Sequence, residues 1–276
     1  MGYDSGVFTA IPDLQVVPRN TSVHSANKIH DDTVAQKLGF KAGLGPGVTV
    51  YAYMTRAIVA SLGPEWTERG SAAVRFTYPV YEGDVLALQT TASAADPGSI
   101  EVRALNAGGA ACAALQAALP ASDASPVDIA GYPRGTLPVE RPPATRAVLE
   151  AISLLGSPER LYDAAAVAEY AEKFRDPSPL YLGADALVHP AFYVEQGNRA
   201  IDRNVLPGPW IHVSSEIRHL SPARVGDHLT TRGRVHRLFE KKGNEFVEVD
   251  LLVVANDTRA VVQLRHTAIY QLAALR

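Results

Sequence analysis

The chain has 276 residues, of which 47% are hydrophobic and 20% charged, with a formal net charge of −3 and one cysteine. This composition suits a folded globular protein with a sizeable core, and excludes a disordered or fibrous chain and the basic footprint of a nucleic-acid binder. No apolar run is long enough to span a membrane and the opening MGYDSGVFTA has no signal-peptide pattern, so a cytoplasmic protein is expected, and Cys112 reads as a small core residue without a disulfide partner.

In chain order, Asp31 or Asp32 can cap a short helix over DTVAQKLGF, which Gly39 stops. After GLGPG, the stretch from Gly47 to about Leu62 is apolar nearly all round, the pattern of a helix buried inside something. Strand patterns follow at 72–80, 84–93 and 100–119, the last a hairpin turning at Asn106-Ala107-Gly108-Gly109. Residues 120–143 hold Pro120, Pro126, Pro133, Pro138, Pro142 and Pro143 and read as a stiff linker between an N-terminal unit, 1–119, and a C-terminal unit, 144–276. Helical segments broken at Gly156-Ser157-Pro158 fill 144–175; a second buried helix, PAFYVEQGNRAIDRNV, precedes strands at 211–221, 227–238, 245–255 and 258–272.

The two units are copies. VRFTYPVYEGDVL at 74–86 recurs as IRHLSPARVGDHL at 217–229, and Gly83-Asp84 fall on Gly226-Asp227 at an offset of 226 − 83 = 143. The same offset carries Arg56-Ala57-Ile58 onto Arg199-Ala200-Ile201, and Pro46-Gly47 onto His189-Pro190. Matching IEV at 100–102 with VEV at 247–249 gives 147 further on, a four-residue difference in the intervening turn. The expected fold is α+β: two units, each of five antiparallel strands wrapped round one helix, paired edge to edge in one sheet about a pseudo-twofold axis.

SANKIHDDTVAQKLGFKAGLGPG, from Ser25 to Gly47, resembles the overhanging segment of the MaoC-like (R)-specific enoyl-thioester hydratases and dehydratases. Their signature runs Asp-x-Asn-Pro-x-His, a short helix ending in Gly-Phe, then a His-Gly that opens the central helix of a hotdog fold. VRFTYPVYEGDVL is similar to the family's Arg-Phe-x-x-Pro-Val-x-x-Gly-Asp. The resemblance implies a double hotdog that hydrates 2-enoyl thioesters or dehydrates 3-hydroxyacyl thioesters carried on coenzyme A or an acyl carrier protein. It implies no cofactor or metal, and it allows a homodimer or a heteromer with another hotdog chain.

Residue by residue, Asn27 and His30 fall on the family's Asn and catalytic His, Ser25 on its Asp, Lys28 on its Pro, and Pro46 on the His before Gly47. In the second copy Asp176 takes the acid position and Tyr181 the histidine position, and the capping helix is missing. One copy thus holds the histidine without the acid, the other the acid without the histidine. His30 is the expected acid/base, Ser25 and Asn27 position water or substrate, and the Gly47 N–H binds the thioester oxygen. The incomplete signatures leave two alternatives: a non-catalytic acyl-thioester-binding subunit of a heteromeric dehydratase, and a repurposed hotdog enzyme or thioesterase. Arg56 and Arg199 are expected to form ion pairs near the pseudo-dyad, Glu240-Lys241-Lys242 to form a hairpin tip, and His212, His219, His228 and His236 to lie on solvated strand faces.

Overall fold

The structure, a computed structural model, describes residues 14–93, 96, 98–122 and 125–275; the opening MGYDSGVFTA lies outside the described residues. The first unit contains β1 (Leu14–Val16), α1 (Asp32–Lys37), α2 (Gly47–Leu62), α3 (Trp66–Arg69), β2 (Ser71–Phe76), β3 (Leu86–Ala92), β4 (Ser99–Leu105) and β5 (Ala111–Ala118). The second contains α4 (Arg146–Ala151), β6 (Glu159–Leu161), α5 (Ala164–Phe174), α6 (Pro190–Asp202), β7 (Ile211–His219), β8 (His228–Lys241), β9 (Asn244–Ala255) and β10 (Arg259–Gln271).

The ten strands form one antiparallel sheet in the order β1-β3-β4-β5-β2-β7-β10-β9-β8-β6, five from each unit. The short β1 and β6 are the fifth strands, too brief to show a period of two in the sequence. The repeats meet through β2 and β7, where Ala73 lies opposite Glu216. Since 73 + 143 = 216, these two are each other's counterparts, and the pseudo-dyad passes between them. The turns before β3 and β8 show why Gly-Asp recurs: Gly83 and Gly226 have φ of 81° and 94°, a region favourable to glycine. The neighbouring Asp84 and Asp227 each accept a hydrogen bond of 2.9 Å from a turn amide, Tyr81 N and Arg224 N.

Register also corrects the second offset. Ala72 pairs with Ala117 on β5, whereas its counterpart Ser215 pairs with His266 on β10, and 266 − 117 = 149, not 147. The difference of two keeps every side chain on its expected face, which is why the sequence match missed it. The insertion, 149 − 143 = 6 residues, lengthens the β8–β9 hairpin, whose tip turns through Lys242 and Gly243 at φ of 52° and 76°.

Helices α2 and α6 lie side by side inside the sheet and share one core with both units; Tyr51, Met54 and Ile58 of α2 and Phe192 and Ile201 of α6 are at most 2% exposed. Such side chains contribute about 1.5–3 kcal/mol each by leaving water. Cys112 is buried in the same core. Part of segment 120–143 crosses the outer face of the second unit, where Tyr132 packs on Leu252 and Val254 and its hydroxyl donates to Asp250 Oδ2 at 3.1 Å. Among the described residues no helix is long and apolar enough to cross a membrane.

Candidate functional site

In the overhang before α2, Asn27 makes hydrogen bonds across to the second unit, beside the packing of Ile29 and Leu44 in one cluster with Ile269 and Leu272. Asn27 caps a short 3-10 turn over Lys28–His30, its Oδ1 accepting from Ile29 N at 3.3 Å and from Trp210 N at 3.1 Å. Its Nδ2 donates to Trp210 O at 2.9 Å, which leaves one amide hydrogen facing His30 Nε2, 3.5 Å away. At the other side of the ring, His30 Nδ1 lies 2.6 Å from Leu44 O. A carbonyl can only accept, so Nδ1 carries the proton, and the Nε2 lone pair faces the Asn27 amide hydrogen in a long contact. Burial lowers the His30 pKa, and the Leu44 carbonyl only partly offsets this, so the ring is neutral at pH 7. The loop passes so close that a Cβ on Gly43 would lie 2.3 Å from His30 O.

No carboxylate comes to the imidazole among the described residues. Asp31 caps α1 through Val34 N at 3.0 Å, and Asp32 accepts from Gly43 N at 2.8 Å. Ser25 turns its hydroxyl to Asn27 O at 3.2 Å and is one of the residues that line the cavity. His24 is exposed.

His30 and Gly47 line one cavity of about 900 Å³ between the repeats. Pro46 is the N-cap of α2 and no side chain caps this helix, so its first amides, Gly47 and Val48, face the cavity with the positive end of the helix dipole. The opposite wall is the lengthened β8–β9 hairpin, where Phe239 and Phe246 stack at 4.7 Å. Arg237, Lys241 and Lys242 of this hairpin, with Arg199 and Arg203 at the end of α6, add positive charge to the cavity lining. The hairpin tip thus does more than turn the chain: it shapes the cavity.

The second copy departs from the sequence reading. Asp176 does find a histidine, but it is His189 rather than Tyr181: Asp176 Oδ2 and His189 Nε2 are 3.3 Å apart, and the Tyr181 ring packs against His189 with centroids at 4.5 Å. His189 replaces Pro46 in the repeat, and its Nδ1 accepts from Ala191 N at 3.1 Å, capping α6. The helix end left open in the first copy is therefore plugged in the second. Burial opposes ionisation of Asp176, but the His189 hydrogen bond, the Ser178 amide and Arg56 together hold its pKa low, while burial keeps His189 neutral. Asp176, Tyr181 and His189 are 7%, 5% and 1% exposed and none lines the cavity. Arg56 Nε lies 3.7 Å from Asp176 Oδ2, an ion pair between the repeats, whereas Arg199 pairs at 3.9 Å with Glu195 on its own helix and also lines the cavity. Asp176→Ala is expected to cost about 3 kcal/mol by stranding the buried partners of the carboxylate, with turnover per folded molecule unchanged; urea titration and assay check the two halves of this expectation.

Two histidines expected on solvated faces are buried: His212 is 8% and His219 0% exposed. His219 packs edge-on to Trp66 and Tyr193. His212 lines the cavity, with Nδ1 3.0 Å from where a Cβ on Gly47 would project. A β-bulge hid it. His212 lies opposite Ala268 and Ser214 opposite Thr267, so Val213 is an extra residue and strict alternation fails there.

No protein-family model matches the chain, and neither does any curated protein. Solved structures do. A conserved hypothetical protein from Mycobacterium tuberculosis with a double hotdog fold superposes with a TM-score of 0.63 at 16% identity, over 94% of this chain and 96% of that one. A MaoC-like dehydratase gives 0.62 at 12% identity over 95% and 97%. A protein assigned as an oleoyl thioesterase from Lactobacillus plantarum gives 0.55 at 13% identity over 96% and 98%. The fold is the double hotdog, of the kind seen in MaoC-like dehydratases.

Proposed function

We propose that the cavity binds an acyl thioester, on coenzyme A or an acyl carrier protein, and hydrates a 2-enoyl group or runs the reverse dehydration of a 3-hydroxyacyl group. One observation carries this reading: the uncapped start of α2 and His30, whose unprotonated Nε2 has Asn27 Nδ2 3.5 Å away, line the same cavity, while the matching helix end in the other copy is plugged by its own cap. Structural relatives named as dehydratase and thioesterase support thioester chemistry on this fold.

In the hydration direction the thioester oxygen accepts from the Gly47 and Val48 amides, and His30 Nε2 takes a proton from water as its oxygen bonds to C3. The C2=C3 electron pair moves toward the thioester, giving an enolate held by the two amides, and the imidazolium returns the proton to C2. The sum is H and OH added across one double bond. Asn27 orients the ring. The lysines and Arg237 of the hairpin wall and the arginines at the end of α6 suit the phosphates of either carrier.

A non-catalytic acyl-binding role is the second reading, favoured by the lack, among the described residues, of a carboxylate at His30 and by Ser25 bonding to its own loop. Loss of enoyl absorbance from crotonyl-CoA, set against release of free thiol, separates hydration from thioesterase action; binding with neither change supports the silent subunit. Gly47→Ala is expected to lower kcat/KM by about 10²-fold, on the scale of losing one oxyanion donor, because its methyl would lie 3.0 Å from His212 Nδ1 and 3.1 Å from Phe76. A kinetic comparison with wild type checks it.

A further inference from the structure

The second repeat carries a polar chain that the first lacks. His212 Nε2 is 2.9 Å from Ser215 Oγ, which is 2.9 Å from His266 Nδ1, and the two imidazoles stack at 4.2 Å. The Val213 bulge puts His212 and Ser215 on one face although they are three apart, and His266 is the cross-strand partner of Ser215. In the first repeat the matching cross-strand pair is Ala72 opposite Ala117. Helix α6 makes room for the chain: a Cβ on Gly197 would lie 2.4 Å from the His266 ring, and its counterpart (197 − 143 = 54) is Met54. Glycine inside a helix costs about 1 kcal/mol relative to alanine, so the fold gives up helix propensity to seat this histidine.

The direction of the hydrogen bonds follows from the ends. His212 Nδ1 and His266 Nε2 are both buried without a hydrogen-bond partner, although the Ser214 backbone offsets a little of the burial felt by His212. Ser215 has one proton, so one end of the chain carries an N–H and the other a bare nitrogen. A buried, unpaired N–H is the rarer orphan in proteins. His266 is 0% exposed and lies off the cavity, whereas His212 is 8% exposed and lines it beside Gly47. The favoured arrangement is His266 Nδ1–H donating to Ser215 Oγ, Ser215 donating to His212 Nε2, and the free N–H at His212 Nδ1. Burial keeps His212 neutral, its pKa pushed down to about 3, so the donor persists across the working pH range.

We propose that His212 Nδ1–H is a third hydrogen-bond donor, beside the Gly47 and Val48 amides, for the acyl carbonyl oxygen, with its tautomer set by Ser215 and His266. This rests on the acyl-thioester reading of the cavity. The probe is a 13C=O-labelled butyryl-CoA analogue with methylene in place of sulfur, which is neither hydrated nor hydrolysed. Its affinity is measured by calorimetry and its carbonyl stretch by difference infrared spectroscopy. Wild type is expected to bind it with the stretch moved to lower frequency. His212→Gln, which keeps an amide near Ser215 but none at the Nδ1 position, is expected to lose part of that shift and to bind about 5- to 10-fold more weakly, the effect of one neutral hydrogen bond. His212→Asn, whose amide nitrogen falls near Nδ1, is expected to retain most of both. Imidazole 15N spectra of the free wild-type protein are expected to show His212 protonated at Nδ1. An unchanged shift and affinity in His212→Gln, or an Nε2–H tautomer, overturns the third donor while the acyl reading stands. Failure of wild type to bind the analogue overturns the acyl reading and the donor's role with it.

Discussion

His30→Ala lowers enoyl-thioester turnover by about 10²- to 10⁴-fold, the usual contribution of a positioned acid or base, and leaves affinity for a saturated acyl-CoA nearly unchanged. The ring supplies proton transfer, whereas binding rests on the α2 amides and the hairpin wall. Only the neutral imidazole can take a proton from water, so kcat rises with pH through the pKa of His30 and is flat above it. Burial places that pKa below the ordinary 6.5, with partial restoration by the Leu44 carbonyl. The pH profile of wild type and the residual rate of His30→Ala check this; a variant as fast as wild type would leave the imidazole without a chemical role.

Acid is the second strong expectation: the protein loses stability steeply as pH drops from 6.5 toward 5. Burial pushes His212 and His219 down to about 3, and His266, next to His212, well below its ordinary value. A histidine with a depressed folded pKa binds protons more readily when unfolded, so stability is complete above 6.5 and falls as pH falls below it. At about pH 5 His212 and His219 each cost about 2 kcal/mol, together about 4 kcal/mol, a large share of the whole stability of many domains, and His266 adds to the loss in the same direction. His189 and His30 shift in the same direction through burial. At lower pH the carboxylates add to the loss. Burial opposes ionisation of Asp176 and Glu195, but His189, the Ser178 amide and Arg56 for the first, and Lys173, Tyr170 and Arg199 for the second, together outweigh it and hold both pKa values low, so their stabilisation disappears as they protonate. Urea unfolding at pH 7.5, 6 and 5 measures the slope. A flat profile would mean that the buried imidazoles are hydrated or already charged in the folded state.

Much of the architecture was legible in the sequence. The offset of 143 reappears as the register of β2 against β7, and the helix from Gly47 to Leu62 is the buried α2. The recurring Gly-Asp proved to be a turn with positive φ and an aspartate cap, chemistry that depends on neighbours in the chain and so leaves a local trace. The short edge strands β1 and β6 left none, because three residues cannot display a period.

The site was legible in part. His30, Asn27, Ser25 and Gly47 do share a cavity, but the bonds that give Asn27 its position run to Trp210, 183 residues away. His189 was passed over because it aligns with Pro46 rather than with His30, and the acid of the second copy reaches it only through the fold. His212 was misplaced because a single bulge residue reverses which face a side chain takes.

By itself the sequence determined the repeat and the two enclosed helices, since these follow from periodicity and from turns built by adjacent residues, and the hotdog arrangement followed from the family resemblance of 25–47 and 74–86. Which of the two helix ends stays open, and which nitrogen of His30 carries the proton, only the tertiary structure decided. A cap, a tautomer and a buried proton depend on partners brought together across the pseudo-dyad, and no spacing along one chain encodes that distance.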